Sequence, residues 1–167
     1  MEADAVSIEA FECYQKALAG PLLEVPEAAP PEFGMEWVLG HLPQRPPFLF
    51  VDGVQAIRDG VLCARFDVDR TADLFAGHFP GVPRWPGAIQ IEAMAQAGLM
   101  LYFSTLEETR SEVALGVVRE ARFLREVLPG RPVQLMGSFF EDGLFVVLVG
   151  QVLQAGRVCS ACVLSIV

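Results

Sequence analysis

Two short segments hold the residue types needed for proton transfer near neutral pH. Gly77-His78-Phe79-Pro80-Gly81 sets an imidazole in a loop stiffened by glycine and proline. Pro86-Gly87-Ala88-Ile89-Gln90-Ile91-Glu92-Ala93-Met94-Ala95-Gln96 places one carboxyl near the start of an otherwise apolar helix. A neutral imidazole can take a proton, and a carboxyl in its acid form can give one. Apolar neighbours such as Ile91, Met94 and Ala95 favour that acid form, and the positive end of the helix opposes it. At Gly87 the helix start leaves backbone N–H groups free for an anionic oxygen, with no side chain to block a close approach. Gln96 follows Glu92 by four residues, so it shares that helix face and can orient the carboxyl or a water. Taken singly, His78 reads as a hydrogen-bonded loop residue and Glu92 as a salt-bridge partner; their combination points to chemistry. His41, the other of the two histidines, stands beside a proline-rich segment and reads as a surface or capping residue.

The elements that must hold these groups follow from residue pattern. Asp4 to Ala19 reads as a helix, with Val6, Ile8, Phe11 and Leu18 apolar and Gly20-Pro21 as its stop. Leu22 to Pro31, rich in Pro, Glu and Ala, reads as a linker or wrapping segment. A helical turn around Met35 to Leu39 leads into an extended Leu42-Pro43-Gln44-Arg45-Pro46-Pro47. Phe48 to Ile57 and Val61 to Val68 read as strands joined by the Asp59-Gly60 turn. The helix from about Gly87 to Leu106 is apolar nearly all round, which predicts burial. Strand-like runs follow at Val113 to Phe123, Val133 to Phe140, Leu144 to Leu153 and Val158 to Val167, with Asp142-Gly143 and Gly156 at the last turns. One buried helix and about six mostly antiparallel strands predict an α+β fold in which a curved sheet wraps the helix. Such a sheet leaves an edge and an apolar rim that a second copy would cover. The expected division is an N-terminal helical, Pro-rich extension, residues 1–34, and a main domain, residues 35–167.

Size and composition exclude several classes. The 167 residues suffice for one domain with a core of its own, and 53% of them are hydrophobic. A net charge of −9 argues against nucleic acid as a partner. The longest apolar run, Ala88 to Phe103, is interrupted by Gln90, Glu92 and Gln96, so no membrane span is expected. The acidic N-terminus is unlike a signal or transit peptide, which makes the cytoplasm the expected location. Lys16 is the single lysine; the arginine bias suits phosphate recognition, although genome composition explains it more simply. Cys159 and Cys162 form a C-x-x-C in a strand-like run, where an offset of three predicts thiols on opposite faces. With no second pair and no histidine at metal-like spacing, the expectation is core packing, with no metal and no redox role.

Several ordered motifs resemble the β-hydroxyacyl-acyl-carrier-protein dehydratases. They are Leu42-Pro43-x-Arg45-x-Pro47-Phe48-Leu49-x-Val51-Asp52, the Gly-His-Phe-Pro-Gly loop, Pro-Gly-x-x-x-x-Glu-Ala-Met-Ala-Gln, and Ala121-Arg122-Phe123 with Val127-Leu128-Pro129-Gly130. The resemblance covers roughly Met35 to Val167. It implies a hot-dog fold, a homodimer or higher assembly with two sites at its interface, and no metal or organic cofactor. It also implies reversible loss of water from a 3-hydroxyacyl thioester on the phosphopantetheine arm of an acyl carrier protein, in fatty acid or polyketide-type biosynthesis. By that resemblance His78 takes the α-proton, Glu92 of the other subunit protonates the leaving hydroxide, Gly87 holds the thioester oxygen and Gln96 helps. Phe79, Arg84, Trp85 and Gln90 would border the substrate. Arg119, Arg122 and Arg125, with Arg84, would meet the carrier, although offsets of three share one surface only if the strand ends among them. Arg45 and Asp52 would tie down the entrance segment. Glutamate at position 92 resembles the dehydratase branch rather than the dehydratase-isomerase branch, which typically carries aspartate. Thioesterases of the fold lack the His78 loop, and a silent acyl-binding or scaffold subunit would need neither His78 nor Glu92. The chain departs from the family pattern at Gln44, commonly histidine, at Arg84 and Gln90, usually aliphatic, and in its added N-terminus. Polar residues beside an acyl tunnel suggest a short or oxygenated chain, with sequence drift as the alternative.

Overall fold

The computed structural model describes residues 7–106, 113–143 and 145–167. Helix α1 (Ile8–Ala19) starts where the Ser7 hydroxyl accepts the Ala10 N–H at 3.2 Å, and it ends at Gly20. Asp4 to Val6, expected in the same helix, lie outside the described residues. The buried stripe of α1 is Ala10, Tyr14 and Ala17; Ile8 and Phe11 are 77% and 52% exposed. Helix α2 (Met35–His41) runs two residues past the expected turn. Its end is closed by the Arg45 guanidinium, which donates to the Leu39 and Leu42 carbonyls at 3.1 and 2.6 Å, and His41 stacks on Trp37 with 3.8 Å between ring centroids.

Among the described residues six strands form one antiparallel sheet: β1 (Gly53–Arg58), β2 (Val61–Phe66), β3 (Leu115–Phe123), β4 (Val133–Asp142), β5 (Phe145–Gln154) and β6 (Arg157–Ile166). Their order is β1-β2-β4-β5-β6-β3, so β1 and β3 are the edges. The long helix α4 (Gly87–Ser104) packs on one face against β2, β4, β5 and β6, and α1 packs on the other face against β4, β5 and β6. A central helix cradled by an antiparallel sheet is the hot-dog arrangement expected above. Among the described residues no helix is long and apolar enough to cross a membrane.

The N-terminal segment is tied to the outer face of the sheet by three buried glutamines. Gln151 on β5 donates to the carbonyls of Ala17 and Gly20 and accepts the Leu22 N–H at 3.0 Å. Gln134 on β4 donates to the Val25 carbonyl at 3.1 Å, and Gln55 on β1 donates to the Ala29 carbonyl at 2.7 Å. Leu22, Leu23 and Val25 cover Val61, Cys63, Met136 and Leu153 beneath them. Residues 17–29 are therefore a strap, satisfied in its backbone bonds by side chains of the sheet.

Several boundaries differ from the sequence expectation. The strand expected from Phe48 begins only at Gly53, because the Phe48 carbonyl and Phe50 N–H bond to the Gln96 side chain instead of a neighbouring strand. The strand expected to reach Val68 stops at Phe66. There the Asp67 carboxylate accepts the Asp69 N–H at 3.1 Å and starts a 3-10 turn, Val68–Thr71, followed by a short helix α3 (Ala72–Gly77) that local pattern did not signal. The central helix ends at Ser104, two residues before Leu106. The remaining strands match to within two residues at each end, except that Leu144 lies outside the described residues.

Cys159 and Cys162 do not point to opposite faces. Ser160 pairs with Val152 and Val158 with Leu153, so Cys159 is an extra, bulged residue, and both thiols join the core around α4. Burial pushes the Cys63 and Cys162 thiols up to about 12 and raises those of Cys13 and Cys159 as well. We expect Cys63 and Cys162 to resist iodoacetamide at pH 8 in the folded protein, with half-buried Cys13 labelled first. Labelling of Cys162 at the rate of the unfolded chain, read by peptide mass mapping, would contradict this packing.

Candidate active site

The His78 loop is a small closed structure of its own. The Phe79 and Val82 peptides bond to each other at 3.2 and 2.9 Å, and the Arg84 N–H donates to the His78 carbonyl at 2.9 Å. Gly81 at φ 78° makes the reversal, a conformation favoured only for a residue without a β-carbon. The imidazole follows from this frame. His78 Nδ1 lies 3.1 Å from the Arg84 carbonyl, and a carbonyl only accepts, so Nδ1 carries the hydrogen. In the neutral ring Nε2 is then the basic nitrogen.

Trp85, next in the chain, is buried and held on three sides. Its N–H donates to the Val127 carbonyl at 2.9 Å, its Nε1 to Thr71 Oγ1 at 3.1 Å, and its ring packs on Phe66 and Phe50. This anchor joins the His78 loop to the start of α4. His78, Phe79, Arg84, Trp85, Gly87 and Gln90 line one open cavity of about 400 Å³, with Phe123, Leu124, Arg125 and Glu126 along its other side. All four residues expected to border a substrate are therefore together with His78 and Gly87. A β-carbon on Gly87 would come within 2.9 Å of the Phe123 ring, so the aromatic lies directly against the helix start.

Glu92 is not in that cavity. It sits half-buried on another side of α4, where Gln96 Nε2 donates to its Oε1 at 2.8 Å. Gln96 is fully buried, and the same Nε2 donates to the Phe48 carbonyl at 3.0 Å while Oε1 accepts the Phe50 N–H at 2.9 Å. The Phe50 N–H fixes which end of the amide is oxygen, and both Nε2 hydrogens are then in use. The carboxyl is held at Oε1, leaving Oε2 as the oxygen able to carry a proton.

The four arginines expected to meet a carrier divide into two groups. Arg84 pairs with Glu126 at 2.8 Å and Arg125 donates to the Val158 carbonyl at 2.7 Å, and both border the cavity. Arg119 donates to Ser165 and Arg122 to Glu120, each at 2.7 Å, along β3. The strand does end among them, at Phe123, so Arg125 escapes the alternation of faces. Asp52 accepts the Asp67 N–H at 2.6 Å and pairs with Arg70, which anchors the entrance segment. Among the described residues no group of three or more His, Cys, Asp or Glu side chains is placed to hold a metal ion.

The sequence reading missed Leu124 and Glu126 as cavity walls, and Ser160, whose hydroxyl donates to Gln90 Oε1 at 2.7 Å. The Ala121-Arg122-Phe123 motif marked the neighbourhood but carried no spacing signal linking it to the His78 loop.

Known proteins place this architecture. A curated 3-hydroxyacyl-[acyl-carrier-protein] dehydratase FabZ of Haemophilus influenzae (strain PittEE) is 42% identical over 100 residues, 59% of this chain and 68% of that protein. The FabZ of Herpetosiphon aurantiacus is 37% identical over 102 residues, 60% of this chain and 72% of its own length. Among solved structures, the dehydratase heterocomplex ApeI:P from Xenorhabdus doucetiae superposes with a TM-score of 0.65 at 20% identity, covering 77% of this chain and 88% of that one. A phenylacetic acid degradation-related protein from Ralstonia eutropha JMP134 shares the fold at a TM-score of 0.53 and 17% identity, over 68% and 81% of the two chains. The family model for the FabA-like domain matches residues 42–152, which takes in the His78 loop, all of α4 and the wall at Phe123 to Glu126, and the chain belongs to that family.

Proposed function

We propose that this protein dehydrates 3-hydroxyacyl thioesters of an acyl carrier protein in fatty-acid-type biosynthesis, working as a homodimer. The observation that carries the reading is His78, with Nδ1 committed to the Arg84 carbonyl, lining one cavity with the open start of α4. Nε2 takes the α-proton, and the electrons of that C–H bond form the Cα–Cβ double bond. The C–O bond at Cβ breaks as Glu92 Oε2 delivers a proton, and the product leaves with water. The Gly87 N–H steadies the charge that grows on the thioester oxygen. Gln96 is a positioning residue, because it acts through Glu92. No metal or organic cofactor enters these steps.

Glu92 is supplied by the second subunit in this reading. The β3 edge has no strand beyond it among the described residues, and Leu115, Val117 and Val118 on it are about half exposed. Antiparallel pairing of two β3 edges about a two-fold axis covers these residues. The wall residues Phe123 to Glu126 continue directly from β3, so Glu92 of the partner subunit can approach the cavity that this chain's own Glu92 does not line. Residues 7–29 lie on the outer face of the sheet, and none of them lines the His78 cavity. Arg84 and Arg125, at the cavity rim, are the carrier's first contacts, and raising salt should weaken that encounter.

The test is incubation with 3-hydroxybutyryl-carrier protein, following loss of water by mass spectrometry. Turnover by the wild type supports the proposal. Absence of turnover with every acyl chain tried overturns it.

A further inference from the structure

We infer that the acyl cavity is short, because Gln90, locked between Trp85 and Ser160, closes its inner end and restricts the enzyme to short-chain 3-hydroxyacyl thioesters. This rests on the dehydratase reading above and specifies its substrate.

The cavity lining orders itself along α4. Gly87 stands at the helix start, where the thioester oxygen is held, and Gln90 is three residues further, roughly 4.5 Å along the axis. Gln90 is only 4% exposed. Its Nε2 donates to the Trp85 carbonyl at 3.0 Å, and its Oε1 accepts the Ser160 hydroxyl at 2.7 Å. Ser160 is fully buried on β6, and Trp85 is fixed by Val127, Thr71 and the Phe66 ring. Neither partner can follow Gln90 if it is displaced. An acyl tail that pushes through must break both bonds and leave a carbonyl and a hydroxyl unpaired in the core.

Carbon–carbon bonds of about 1.5 Å advance an extended chain by roughly 1.3 Å per atom, so about three or four carbons beyond the thioester reach the Gln90 amide. Past it the next groups are apolar: Met94, one turn on, against Cys162. Both are fully buried, so the core is filled directly behind the Gln90 amide.

The experiment compares kcat/KM for 3-hydroxybutyryl-, 3-hydroxyhexanoyl-, 3-hydroxydecanoyl- and 3-hydroxypalmitoyl-carrier protein. The wild type should fall by at least about tenfold between hexanoyl and decanoyl. The double variant Gln90→Ala/Ser160→Ala should raise the decanoyl-to-butyryl ratio by a similar factor. Ser160→Ala alone, which frees Gln90 without emptying the cavity, should raise it less, and thermal melts establish that each variant is folded. Equal turnover of all chains by the wild type, or an unchanged ratio in a folded double variant, overturns this inference and leaves the dehydratase reading intact. No turnover of any chain overturns that reading, and the inference with it.

Discussion

Replacing His78 with alanine will lower dehydration of 3-hydroxybutyryl-carrier protein by about 10²–10⁴-fold, and Glu92→Gln will do the same, since each removes one end of a concerted proton transfer. Neither change disturbs the core. His78 gives up one bond to the Arg84 carbonyl, and glutamine at position 92 still offers an oxygen to Gln96 Nε2. Melting temperatures near that of the wild type are therefore expected for both. Mixing the two dead variants separates a site shared between subunits from one made within a chain. If each site takes His78 from one subunit and Glu92 from the other, a mixed dimer has one site that lacks both groups and one that is intact. Random exchange of subunits then restores about a quarter of wild-type turnover. If both groups came from one chain, mixing would restore nothing. That outcome would remove the shared-site geometry while leaving the proton-transfer roles in place.

The second large effect is on stability. A β-carbon on Gly137 would lie 2.4 Å from the Gly98 nitrogen and 2.6 Å from the Ala97 carbonyl carbon. These are backbone atoms in the middle of α4, with no side chain able to swing aside. Gly137→Ala must push the central helix off β4, the strand it packs on most closely. We expect a loss of at least about 3 kcal/mol, which for a chain of this size lowers Tm by roughly 6–12 °C. Gly40→Ala is the control: it lies in α2 with nothing within 4 Å of the added carbon, so no loss is expected there. A Gly137→Ala melt within about 2 °C of the wild type would mean that the helix and sheet are not in backbone contact. Because α4 carries Gly87, Gln90, Glu92 and Gln96, a partly folded Gly137→Ala protein should also lose activity out of proportion to its folded fraction.

Features set within a few residues were legible in advance. The apolar run after Pro86 predicted a buried helix starting at Gly87, and the turns at Asp59-Gly60 and Gly156 separated strands where the structure has them. The i,i+4 spacing of Glu92 and Gln96 predicted a shared face, and their side chains meet at 2.8 Å. The strand-like run from Val113 to Phe123 likewise predicts the strand end that lets Arg125 leave the alternation of β3.

What escaped the pattern lies in bonds between distant parts of the chain. Phe48 to Phe50 has the composition of a strand, yet its peptide groups are taken by Gln96, 46 and 48 residues away. Alternation put Cys159 and Cys162 on opposite faces until a bulge, set by pairing with β5, shifted one of them. Gln90 was legible as a polar residue beside the substrate, but only the sheet brings Ser160, 70 residues later, against its amide. Propensity and periodicity report what neighbours along the chain prefer. Backbone groups and buried amides instead bond to whatever the packed fold sets beside them, because leaving them unpaired in the core costs more than departing from a local preference.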